Sequence, residues 1–127
     1  MEIILIGSSR RNLISWSGAA RALFTQIAQE LSGQPGVRPA LKLKRPVIFV
    51  HQRRWRLAVA GFEDGIAVRL SSQDKARASQ VFGTRELRRR DGWMMKGMVA
   101  LPWCAHEHWR DFTHAAVTAV AEGRAGI

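Results

Sequence analysis

The run RRWRLAVAGFEDGIAVRL, residues 53–70, decides the fold. Over residues 53–62 Trp55, Leu57 and Val59 alternate with Arg54, Arg56 and Ala58, the period of a strand with two different faces. Glu63-Asp64-Gly65 then reads as a turn, and IAVRL, residues 66–70, reads as the next strand. So short a turn joins antiparallel neighbours, because parallel strands need a crossover of about a dozen residues or more. The centre of the chain is therefore an antiparallel meander.

Working upstream, VIFV at residues 47–50 is a β-branched and aromatic run. Before it, Ala40, Leu41 and Leu43 alternate with basic residues until Pro46 interrupts. The segment AARALFTQIAQEL, residues 19–31, changes period: Ala20, Leu23, Phe24, Ile27 and Leu31 share one helical face. Ser17 is placed to cap that helix, and Gly33, Pro35 and Gly36 end it.

Downstream, Ser72 is a candidate cap for a short helix supported by Ala76, Ala78, Ser79 and Val81 and ending near Gly83. Residues 86–90 and 93–101 flank Asp91-Gly92, a dipeptide suited to a type I′ hairpin turn, and Pro102 stops the strand. Residues 106–122 form a last helix, with Trp109, Phe112, Ala116, Val117 and Val120 on one face and Gly123 following. The expected fold is α+β: a two-layer antiparallel sheet with helices on one face, in the order α-β-β-β-α-β-β-α.

Composition bounds what such a domain does. The 127 residues suit one domain, and a chain of that size buries about two-thirds of its unfolded surface. Residues 1–16 stand apart as an N-terminal arm or edge strand, with the apolar run Ile3 to Ile6 as its sticky part. That run is far below the roughly 20 residues of a membrane span. It is not a signal peptide either, because Arg10 and Arg11 follow it. A single cysteine, Cys104, excludes an internal disulfide and fits a reducing, cytoplasmic setting. The net charge of +10, with sixteen of twenty cations being arginine, favours polyanionic partners. Arginine replacing lysine on a solvated surface gives the same count.

Residues 36–123, about two-thirds of the chain, resemble the TfoX N-terminal domain family. The resemblance rests on Asp64-Gly65-Ile66-Ala67-Val68-Arg69, on the alanine-bearing helix Lys75-Ala76-Arg77-Ala78, and on Arg89-Arg90-Asp91-Gly92-Trp93-Met94-Met95-Lys96-Gly97-Met98-Val99-Ala100-Leu101-Pro102. A closing helix from Trp109 through Ala116 completes it. Where that family usually carries M-F-G-G, this chain reads Leu43-Lys44-Arg45-Pro46-Val47, which keeps the MmcQ/YjbR-like group as a rival resemblance. Membership implies a secretion-chaperone-like arrangement, a link to regulation of competence genes, no enzymatic chemistry and no transferable site residues.

Residues 2–15, EIILIGSSRRNLIS, look like the first strand and phosphate loop of flavodoxin-like FMN reductases. Ser8, Ser9 and backbone N–H groups at a helix start could hold a phosphate. A doubly wound fold, however, needs crossover helices where this chain has short-turn strands. No cofactor is expected.

Cys104, His106 and His108 form C-x-H-x-H, with His114 six residues on. Sulfur and imidazole suit zinc. On a regular helix, however, His106 and His108 lie about 200° apart, so no metal site is expected. Cys104 lacks an identifiable base and orienter for nucleophilic catalysis, and Glu63, Asp64, Glu107 and Asp111 form no acid/base pair. Trp55 shares a face with Leu57 and Val59 and reads as core. Trp93 stays open between core or subunit interface and ligand contact, while Met94, Met95 and Met98 read as adaptable packing.

Three functions follow. The first is a non-enzymatic regulatory or adaptor domain acting through protein contacts, with a homodimer through an uncovered sheet face as one form. The second is a nucleic-acid binder using Arg53, Arg54, Arg56, Arg88, Arg89, Arg90 and Lys96. The third is a flavin protein built on the N-terminal GSSRR segment.

Overall fold

The computed structural model describes residues 18–42, 45–62, 65–84, 86–88 and 95–126. The expectations placed on residues 1–17, on Leu43, on Glu63 and Asp64, on Arg89 and Arg90, and on the Asp91-Gly92 turn with Trp93 and Met94 lie outside them.

Helix α1 (Gly18–Ser32) leads into four strands: β1 (Val37–Lys42), β2 (Arg45–Gln52), β3 (Arg54–Gly61) and β4 (Gly65–Val68). Helix α2 (Ser72–Phe82) follows, then β5 (Val99–Pro102), a 3-10 segment (Trp103–His108) and α3 (Trp109–Ala121). The strands form one five-stranded sheet in the order β1-β2-β3-β4-β5, every pair antiparallel. The class is α+β, as the periodicities require. The alternation seen upstream of Pro46 is a full strand, so four strands precede α2. After α2, the expected hairpin arm at residues 86–90 is represented by Glu86, bridged to Val99, and by Leu87, whose N–H donates to the Met98 carbonyl at 2.7 Å.

The helices lie on one sheet face. Ile27 and Leu31 of α1, Ala78 of α2, and Trp109, Phe112 and Val117 of α3 are buried in a single cluster with Ile48, Val50, Val59, Ile66, Val68 and Leu101. The opposite face is not open at its centre. Leu87, Met95 and Met98 cover Val47, Leu57, Ala60 and Ala67 in a second cluster. The chain turns at Gly97 (φ +86°), whose N–H donates to the Leu87 carbonyl at 3.0 Å. Within the strand expected over 93–101, residues 95–97 form a turn and the extended backbone begins at Val99, and Met95 and Met98 both drop onto the sheet. This cover buries the centre of the sheet face opposite the helices and leaves Ala40, Phe49, Phe62 and Ala100 partly buried around it.

A β-bulge between Ile48 and Phe49 resets the face alternation of β3. Leu57 pairs with Phe49 and belongs to the loop-covered face, whereas Val59 pairs with Ile48 and joins Ala58 under the helices. The simple period-2 reading put Trp55, Leu57 and Val59 together; one extra residue on a strand breaks that parity. Trp55 is accordingly not core: it is 45% exposed, beyond the last loop-covered position.

Local signals explain the element ends. The α2 cap is Ser71 rather than Ser72: its extended backbone (φ −65°, ψ 162°) lets Oγ accept from the Asp74 N–H at 3.3 Å. Gly83, at φ +66°, closes the helix by donating to the Ser79 carbonyl at 2.7 Å. Only Ala78 of α2 is fully buried, and Val81 points outward at 59% exposure, so the helical face read from Ala76 and Val81 is narrower than expected. The last helix begins at Trp109 because the chain after Pro102 first forms the 3-10 segment. Pro39, on the outer strand β1, offers no N–H to a further strand.

Candidate nucleic-acid interface

The β2–β3 hairpin projects past the covered part of the sheet. Gln52 pairs with Arg54, so a single residue, Arg53, makes the tip. Its φ is +66°, and it is the one described non-glycine residue with positive φ. A left-handed backbone costs a side-chain-bearing residue about 1–2 kcal/mol, so this arginine sits at a strained position where glycine would be easier.

Behind the tip, register sets the two faces. His51 pairs with Trp55 on the loop-covered side, and their rings meet edge-on at 5.2 Å with an interplanar angle of 69°. Arg38 of β1 pairs with Phe49 on the same side and carries its guanidinium over the Trp55 ring, 5.2 Å from the centroid. Such cation–π contacts contribute about 0.5–1 kcal/mol at exposed sites. Arg56 pairs with Val50 and Arg54 with Gln52, on the other side of the hairpin. Arg53, Arg54 and Arg56 are therefore brought together, at the tip and on the flank opposite Trp55.

Arg69 links this end to the covering loop. Its Nε donates to the Leu57 carbonyl at 2.8 Å and its Nη1 to the Lys96 carbonyl at 3.1 Å. Burial, and secondarily the neighbouring Arg56 charge, pushes the Arg69 pKa below its ordinary value. Lys96 is exposed in the same turn, and exposed Arg88 directly follows the Leu87 carbonyl that accepts from Gly97. Lys96 and Arg88 thus share one loop, which Arg69 fastens to the hairpin; Arg89 and Arg90 lie outside the described residues.

Charge is segregated between the layers. Residues 31–62 hold Arg38, Lys42, Lys44, Arg45, Arg53, Arg54 and Arg56 and not one Asp or Glu. Helix-layer cations are paired: Arg77 with Asp74 at 3.2 Å, Arg110 with Glu30 at 3.2 Å, Arg124 with Glu122 at 2.8 Å, and Lys75 with Glu86. Among the described residues no carboxylate pairs with Arg38, Arg53, Arg54, Arg56 or Lys96. Among the described residues Arg38, Arg53, Arg54 and Arg56 gather towards the β2–β3 end of the sheet, whereas Lys42 and Arg45 pair at the opposite end of β1 and β2.

No family model, curated protein or solved structure matches the chain. The side chains themselves must carry the functional argument. Reading single residues missed Arg38, His51 and Arg69, and the signal that finds them is the carboxylate-free run 31–62 combined with strand register.

The other candidates stay apart. His106 and His108 lie in the 3-10 segment, His106 edge-on to Trp109 at 6.3 Å and His108 edge-on to Phe82 at 5.3 Å. Cys104 is exposed, and among the described residues no three His, Cys, Asp or Glu side chains are grouped to hold a metal ion. His114 faces Glu30 on the helix layer, 3.5 Å away. Among the described residues no helix is long and apolar enough to cross a membrane.

Proposed function

We propose that this protein is a non-enzymatic, cytoplasmic binding module that takes nucleic acid on the β2–β3 hairpin end. One observation carries the reading: residues 31–62 hold seven cations and no carboxylate, and among the described residues the four towards the β2–β3 end, Arg38, Arg53, Arg54 and Arg56, lack ion-pair partners while Arg77, Arg110 and Arg124 of the helix layer have them. Cations without a carboxylate partner among the described residues are available to phosphates, whose contacts supply most of the sequence-independent affinity. Lys96 and Arg88, exposed on the covering loop, extend the surface.

The test is fluorescence anisotropy with labelled DNA and RNA at 50 and 200 mM salt. Four neutralised phosphates imply a loss of affinity of about 50- to 150-fold across that interval. Replacing Arg53, Arg54 and Arg56 by Ala should flatten the salt slope. Binding absent at 50 mM salt would end this reading.

A second reading, the regulatory adaptor implied by the TfoX-like resemblance, is supported by an apolar pocket of about 550 Å³ at the opposite end of the sheet. Phe62, Ile66, Phe82, Leu87, Leu101 and Pro102 line it, between the C-terminus of α2 and strands β4 and β5. A protein partner held there would resist 200 mM salt and be indifferent to the arginine substitutions.

A further inference from the structure

We propose that Trp55 is a stacking platform for an unpaired base, so that the hairpin end selects single-stranded over double-stranded nucleic acid. This inference rests on the nucleic-acid reading above and gives it a ligand class.

Trp55 is one of only two large apolar side chains that are exposed among the described residues. An indole left 45% exposed contributes little to folding compared with the buried Trp109. Yet it is held. His51 meets it edge-on from the facing strand, and Arg38 caps it from β1, each at 5.2 Å. Three strands thus converge on one side chain that the fold does not bury. An aromatic ring fixed in advance loses little rotamer freedom when a ligand arrives, and its remaining surface is a flat, sequence-tolerant contact for a base.

The surrounding charge fits the same ligand. Arg38 lies over the indole, Arg53 stands at the tip, and Arg54 and Arg56 lie on the opposite face of the same hairpin; among the described residues none of the four has a carboxylate partner. A groove or edge that tracks a phosphate backbone with cations and stacks bases on an aromatic is the usual construction for single strands. In a duplex both faces of each base are already stacked, and only its phosphates and groove edges are on offer. The arginines would serve either form; the indole serves only the single strand.

The test uses the full chain and a fluorescein-labelled oligothymidine of about 12 nucleotides, alone and annealed to its complement, at 50 mM salt. Trp55→Ala should weaken single-strand binding about 5- to 150-fold, the range of one base stacked on one aromatic, and change duplex binding less than about twofold. Trp55→Phe keeps a π-face and should recover most of the single-strand loss. Arg54→Ala is the comparison, because loss of a phosphate contact weakens both forms alike. Urea denaturation of each variant separates a lost contact from a lost fold.

The outcomes are distinct. Selective loss in Trp55→Ala with rescue in Trp55→Phe supports stacking. Unchanged single-strand affinity in Trp55→Ala, or equal loss on both forms, overturns it while leaving the nucleic-acid reading intact. Failure of the unaltered protein to bind either form overturns both.

Discussion

The Arg69 guanidinium donates to the carbonyl oxygen of Lys96 at 3.1 Å while its Nε donates to that of Leu57 at 2.8 Å. One planar side chain thereby fastens the turn at Met95–Gly97 to strand β3. Lysine cannot reproduce a fork of donors in fixed geometry. Arg69→Lys should lower unfolding free energy by about 1–2 kcal/mol in urea titration, the scale of charged hydrogen bonds discounted for partial exposure. An unchanged urea midpoint would show that the loop is held by its methionines alone.

The same group gives a prediction about Arg56. Burial first, and the Arg56 charge second, lower the Arg69 pKa. For a base whose pKa is lower folded than unfolded, the charged form is disfavoured in the fold. That penalty is constant below the folded pKa and vanishes only above the unfolded one, in strongly alkaline solution. Arg69 should therefore contribute no slope to stability between about pH 6 and 9. Arg56→Ala removes a repulsion, so it should raise stability by up to about 0.5 kcal/mol while weakening nucleic-acid binding. A variant that loses stability and keeps its binding would contradict the trade-off.

Arg53 makes a similar exchange. Its φ of +66° suits glycine, and the strain relieved exceeds the added chain entropy by a modest margin. Arg53→Gly should raise unfolding free energy by up to about 1 kcal/mol and reduce affinity for a labelled oligonucleotide. If stability falls instead, the left-handed tip is held by contacts of the arginine side chain.

Much of the fold was legible because its signals are local. Period 2 over residues 53–70, helical spacing at Phe24, Ile27 and Leu31, and the α3 face from Trp109 to Val120 all follow from which side must be apolar. What escaped was non-local. The bulge makes Ala58 an extra residue of β3 between the Ile48–Val59 and Phe49–Leu57 pairs, so it shows in the pairing with β2 and not in the alternation along β3. The candidate site was half legible for the same reason: Arg53, Arg54 and Arg56 are adjacent in sequence, whereas Arg38 and Arg69 reach them only through strand pairing and a turn.

Gly65 is required by distance more than by backbone freedom. A Cβ placed there would lie 2.0 Å from the Leu101 carbonyl oxygen, backbone that cannot swing aside without opening the β4–β5 ladder. Gly65→Ala should cost about 3 kcal/mol or more, read as a fall in the urea midpoint with the slope unchanged. Retention of full stability would mean that β5 pairs with β4 more loosely than the register implies.

The stretch from Arg88 to Pro102 is best tested at Met98, which is completely buried. Its side chain belongs to the loop-side cluster with Leu87 and Met95, over Leu57 and Ala67. If those residues form a true second layer on the sheet, Met98→Ala leaves a cavity and should destabilise by about 2–5 kcal/mol. If the loop instead rests on the sheet without packing into it, the cost should stay below about 1 kcal/mol, the scale of a surface change. The two ranges do not overlap, so one urea titration decides between them. The larger loss has a functional consequence, because the turn that Met98 anchors also carries Lys96. Met98→Ala should then weaken duplex and single-strand binding alike, in contrast to the selective loss expected of Trp55→Ala.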